Sequence, residues 1–96
     1  MTLEELRQDK RDAILRICAT HGAHNVRVFG SAARGEAGEG SDIDLLVEFE
    51  PGRSLLDHAA LVLDLEELLG RKVDVVTEKG LYWLLRRRIM KEARPL

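Results

Sequence analysis

Gly30-Ser31, ten intervening residues, then Asp42-Ile43-Asp44 constrain this chain more than any other feature. The run Asn25 to Phe29 reads as a strand, with Val26 and Val28 on one face. Gly30 and Ser31 break it and open a short helical turn through Arg34. Gly35, Gly38 and Gly40 make the next stretch a loop. From Ile43 to Glu50 a second strand alternates, with Ile43, Leu45, Val47 and Phe49 on one face and Asp44, Leu46 and Glu48 on the other. Asp42 falls on that second face, just ahead of the strand. A strand, a tight glycine turn and two carboxylates heading the next strand suit a nucleoside triphosphate and its accompanying divalent cation.

The physical reasons are local. Side chains two residues apart on a strand project from the same face, roughly 7 Å apart at the backbone. The carboxylates of Asp42 and Asp44 can therefore lean over one ion, and without a cation they repel each other. Mg²⁺ takes oxygen ligands and keeps places for water and phosphate oxygens. Gly30 allows close backbone approach to a phosphate, Ser31 adds a hydroxyl donor, and Arg34, one turn on, can pair with a phosphate oxygen. Asp74 lies within the apolar run Val73-Asp74-Val75-Val76, where an ionised carboxylate is costly unless paired. Beside the Asp42 strand it would complete the cation site, permit a second metal and serve as general base; its alternative is a structural pairing with Arg71 or Lys72. A calcium loop is excluded because no D-x-D-x-D-G run with a distal Glu is present, and no G-K-[ST] follows the glycines as a Walker loop requires.

The remaining pattern surrounds this core with helices. Thr2 caps a first helix with Glu5 three residues on, and apolar residues recur at Leu3, Leu6, Ala13, Ile14, Ile17 and Cys18 across a polar gap at Asp9-Lys10. Ser54 and Asp57 form a capping box for another helix, with an apolar stripe at Leu55, Leu56, Ala59, Ala60, Leu63 and Leu68 and a stop at Gly70. Lys72 to Thr77 is a short strand. A last helix runs from about Leu81 to Ala93, with Leu81, Leu84, Leu85 and Ile89 inward, and Pro95 closes it. The fold class is α/β (α+β): a small mixed sheet of three to four strands backed by helices, in a single domain over residues 1–96.

Composition narrows the function classes. A net charge of −2 excludes a strongly basic nucleic-acid protein, and direct nucleic-acid binding is not expected. One cysteine, Cys18, cannot make an intramolecular disulfide; it reads as a small buried thiol. His21, His24 and His58 have no metal-ligand spacing. No apolar run approaches the ~20 residues of a membrane helix, so a cytoplasmic protein is expected.

At Gly30, Ser31, Asp42 and Asp44 the chain resembles the nucleotidyltransferase superfamily of DNA polymerase beta and kanamycin nucleotidyltransferase. More narrowly it resembles the minimal nucleotidyltransferases, antitoxin-like partners of HEPN-domain proteins. The flanks Ala33-Arg34-Gly35 and Ser41-Asp42-Ile43-Asp44-Leu45-Leu46-Val47 match as well, and Asp74 stands where the third acid of the family is expected. The resemblance implies a polymerase beta-like core in which Asp42, Asp44 and Asp74 hold Mg²⁺, as two ions, and carry catalysis. Gly30, Ser31, Arg34 and Ser41 would hold the nucleotide. It implies AMP transfer from ATP to a tyrosine hydroxyl of a HEPN-type toxin. Masking of the partner without catalysis, or transfer to a small molecule or RNA, are the alternatives. At 96 residues the chain has no room for the helical domain that larger relatives use to grip base and acceptor, so a partner or second copy is expected to complete the site. Arg86-Arg87-Arg88 is a solvated helix face or a contact for an acidic partner or RNA; of Tyr82 and Trp83, one is expected inward and one exposed. Glu36, Glu39 and the loop glycines are expected to be mobile until nucleotide arrives.

Overall fold

The amino-terminal helical segment breaks where its apolar pattern does. In the computed structural model, which describes residues 1–36, 38 and 40–96, α1 covers Leu3–Glu5, a π-helical turn Leu6–Lys10, and α2 Arg11–Thr20. The wider π turn absorbs the polar Asp9-Lys10 gap and keeps Leu6 in phase with Ile14 and Cys18, all fully buried. The Glu5 N–H donates to the Thr2 hydroxyl at 3.2 Å, as the capping pattern requires.

Strand β1 runs Ala23–Phe29, two residues longer than the alternation suggests. Its pairing with β2 (Ile43–Phe49) is antiparallel and slips between His24 and Arg27. Asn25 takes a left-handed φ of 50° at that bulge, a conformation in which Asn is several-fold enriched. Between these strands lies α3, Gly30–Arg34, ended by Gly35 in the left-handed region. Helix α4, Leu55–Leu69, carries both halves of the Ser54/Asp57 capping box and stops at a left-handed Gly70. It serves as the crossover that a parallel β2–β3 pair needs, β3 being Val73–Thr77. Helix α5, Trp83–Glu92, leads into the two-residue strand β4, Arg94–Pro95, on the outer edge of β1. The sheet order is β3-β2-β1-β4. Pro95 fits at this edge, where a missing N–H costs no central ladder bond.

One face of the sheet builds the core. Val28, Ile43, Leu45, Val47, Val73 and Val75 pack with Leu6, Ile14, Cys18, Leu61 and Leu65. Burial pushes the Cys18 thiol up to about 11, consistent with an inert core cysteine.

Two helix faces differ from the sequence reading. In α4 the buried residues are Leu61, Leu65 and Leu69, whereas Leu55, Leu56 and Leu63 are exposed. Apolar residues surround much of this helix, so its period alone left the inward face ambiguous. In α5 no residue is buried; Leu84 and Leu85 face solvent rather than the interior, and Tyr82 and Trp83 are both exposed, their rings 6.0 Å apart. Half-burial in the last helix begins only at Ile89, where the chain turns back toward β4.

Candidate active site

The parallel register of β2 and β3 sets Asp44 directly beside Asp74. Partners in adjacent parallel strands share a face, so both carboxylates emerge from the side of the sheet opposite the core, roughly 5 Å apart at the backbone. Asp42, two residues before Asp44, belongs to the same side. The three acids act on one another. Partial burial, then Asp74, then Asp42 push the Asp44 carboxyl from 3.8 up to about 6. Among the described residues, Asp74 makes no salt bridge to Arg71 or Lys72.

Gly30 is fixed here by space as well as by conformation. Its φ is +72°, and a Cβ at this position would lie 2.2 Å from Asp44 Oδ2. The glycine therefore lets β1 hand over to α3 while the Asp44 carboxylate rests against the bare Cα. β1 also pairs Phe29 with Asp44, which brings the turn to the acids. Ser31 follows in the first turn of α3, half-buried.

Arg34, at the end of α3, is engaged twice. Its Nε donates to Glu36 Oε2 at 2.9 Å and its Nη1 to Glu92 Oε1 at 2.9 Å. The other oxygen of Glu92 accepts the Gly30 N–H at 2.9 Å. Burial works to raise the Glu92 carboxyl, but the Gly30 N–H and Arg34 outweigh it and hold the group below its ordinary range. The Ser41 hydroxyl accepts the Gly38 N–H at 3.1 Å, just ahead of Asp42. Glu36, expected to be mobile, is thus an ion-pair partner; Glu39 lies outside the described residues.

Glu92 was not identified from the sequence. Its one signal is that it is the sole acid of α5, in a helix bearing Arg86, Arg87, Arg88 and Lys91. The histidines make polar contacts within the fold: His21 Nε2 meets Asp64 Oδ2 at 2.6 Å, His58 Nε2 meets the Val75 carbonyl at 2.7 Å, and the exposed His24 lies 3.5 Å from Glu48. Arg86 bonds Glu78 at 3.5 Å, with Arg27 on the same carboxylate at 3.7 Å.

Among the described residues no three His, Cys, Asp or Glu side chains stand close enough together to hold a metal ion as they are. The donor set nonetheless fits a hard divalent ion: three oxygen-bearing groups on one face, with the charge on Asp44 disfavoured by burial and by Asp74 and Asp42 until a cation offsets them. An open set of this kind leaves coordination places for phosphate oxygens. A cavity of about 470 Å³ lies elsewhere, lined by His24, Val47, Phe49 and Glu78 at the far end of the strands, and takes no part in this arrangement.

A family profile described as the nucleotidyltransferase domain matches residues 5–96. The chain belongs to the nucleotidyltransferase family. It is 38% identical over 92 residues to protein adenylyltransferase MntA of Thermococcus cleftensis, covering 96% of this chain and 93% of that one. A Methanocaldococcus jannaschii relative, provisionally named a protein adenylyltransferase, is 50% identical over 80 residues, covering 83% of this chain and 86% of its own. A solved structure provisionally described as a minimal nucleotidyltransferase superposes with a TM-score of 0.86 at 61% identity, over 100% of this chain and 97% of that one. A toxin-antitoxin complex crystallised with AMP-PNP shares the fold at TM-score 0.77 and 19% identity, over 90% of this chain and 71% of that one. The nucleotidyltransferase therefore carries the mixed sheet expected for its family, and no helix among its described residues is long and apolar enough to cross a membrane.

Proposed function

We propose that this nucleotidyltransferase transfers AMP from ATP to a hydroxyl of a partner protein in the cytoplasm, and that the acceptor is a tyrosine of a HEPN-type toxin silenced by the modification. The observation that carries the reading is the side-by-side register of Asp44 and Asp74, with Asp42 on the same face and Gly30 closing over Asp44. The names of the relatives support protein as the acceptor class.

In this reading Asp42, Asp44 and Asp74 would hold Mg²⁺, as two ions, and the bound cations would supply charge neutralisation at the phosphates. Gly30, Ser31 and Arg34 orient the phosphate chain, and Ser41 acts indirectly by fixing the turn before Asp42. Asp74, exposed on the edge strand, takes the acceptor proton. The acceptor oxygen forms a bond to the α-phosphorus as the bond from that phosphorus to the β-bridging oxygen breaks. Pyrophosphate leaves with the electron pair. Such a reaction asks mainly for in-line positioning and charge stabilisation, and little covalent chemistry from the protein.

The test uses ATP labelled at the α-phosphate, Mg²⁺ and the protein encoded beside this one. Label is expected on a partner tyrosine with wild type and not with D42N/D44N. An unlabelled partner in the presence of folded wild type would defeat the proposal. A D42N/D44N protein that still silences its partner would instead mean neutralisation by masking.

A further inference from the structure

One carboxylate already sits where the proposed nucleotide needs its phosphate. Glu92 spans the two anion donors of the motif, with Oε2 on the Gly30 N–H and Oε1 on Arg34 Nη1, each at 2.9 Å. Arg34 Nε is meanwhile taken by Glu36 at 2.9 Å. The Gly30 N–H and two nitrogens of Arg34 are thus engaged by the protein's own acids. A phosphate oxygen and a carboxylate oxygen compete for the same N–H, and two anions placed on one arginine repel. We propose that Glu92 is a built-in competitor of the nucleotide phosphate, a side-chain latch that must leave Gly30 and Arg34 before a triphosphate is seated. The inference rests on the nucleotide reading of this site given above.

The surroundings define how the latch opens. The backbone just beyond Glu92 is firmly held. Arg94 and Pro95 pair with Val28 and Arg27 in β4, the Leu96 N–H donates to the Val26 carbonyl at 3.1 Å, and Arg11 Nε donates to the Leu96 carbonyl at 2.9 Å. Arg7 adds a bond from Nε to the Pro95 carbonyl at 3.2 Å. Swinging α5 away would break this anchor. Rotation of the Glu92 side chain breaks only its own two contacts, and it has other cations in reach of α5, since Arg88 also acts on its charge. The latch is therefore a rotamer change at a fixed helix end. Once released, Arg34 turns from a carboxylate to a phosphate without loss of charge pairing.

The experiment compares wild type and E92Q in titrations with ATP and Mg²⁺ by calorimetry, with thermal melting as the folding control. Gln keeps the shape of the side chain but removes the competing charge. If the cradle is free about one part in ten of the time in wild type, E92Q binds about tenfold more tightly. In partner labelling, KM for ATP falls correspondingly. Equal or weaker binding by folded E92Q overturns the latch and leaves the nucleotide reading standing. No saturable binding by either protein overturns both. Wild type provides a second readout, independent of the variant's folding. On saturation with ATP and Mg²⁺ the Glu92 carboxyl ¹³C and Gly30 amide resonances shift together; a Glu92 signal that stays put at saturation contradicts the latch.

Discussion

Replacing Asp44 by Asn should stabilise the protein, and the gain should depend on pH in a specified direction. The Asp44 carboxyl titrates near 6 in the folded chain against an ordinary 3.8, because of partial burial and the charges of Asp74 and Asp42. Well below pH 3.8 the carboxyl is protonated in both folded and unfolded chains and costs nothing. Between 3.8 and about 6 the unfolded chain gives up its proton while the folded chain keeps it, so stability falls as pH rises. Above about 6 the penalty is complete. The separation corresponds to a ceiling of about 3 kcal/mol at 1.36 kcal/mol for each pH unit. Asp44 is only half-buried, so solvent screening reduces this to about 1–1.5 kcal/mol. Urea unfolding of wild type and D44N without divalent cation, at intervals from pH 4 to pH 8, measures the difference. It should be smallest at pH 4, grow through pH 6 and level off. A difference independent of pH, or one that shrinks as pH rises, would refute the reasoning that Asp44 is held charged against its neighbours.

Three further outcomes follow from the same geometry. G30A should lose about 1–2 kcal/mol from the left-handed backbone alone, and more from its collision with Asp44 Oδ2, read as a fall in Tm. D74N should fold normally yet lower transfer to the partner by about 100-fold or more, measured by single-turnover labelling. Cys18, with its thiol pushed up to about 11, should hold only about one thiolate in a thousand at pH 8 and react with Ellman's reagent only after unfolding.

Much of the site was legible because strand periodicity is rigid. Alternation placed Asp42 and Asp44 on one face without any knowledge of neighbours, and the glycines marked where β1 must stop. The pairing of Asp44 with Asp74 was legible only as a condition, since register between β2 and β3 depends on how α4 crosses the sheet. Helix faces were harder to read. The leucines of α4 lie nearly all round it, so the inward set of Leu61, Leu65 and Leu69 emerged only with the sheet in place. Glu92 was hidden because it acts across 62 residues of sequence on Gly30, through a contact with no local pattern. Ser41 was legible by position and is used for its turn with Gly38.

The most direct measurement is paramagnetic broadening of amide resonances by Mn²⁺ in the presence of ATP, with Mn²⁺ replacing Mg²⁺. The account predicts broadening centred on Asp42, Asp44 and Asp74, extending to Gly30 and Ser31 and lost in D42N/D44N. Broadening centred at the far end of the strands near His24 and Glu48, or undiminished in D42N/D44N, would contradict it.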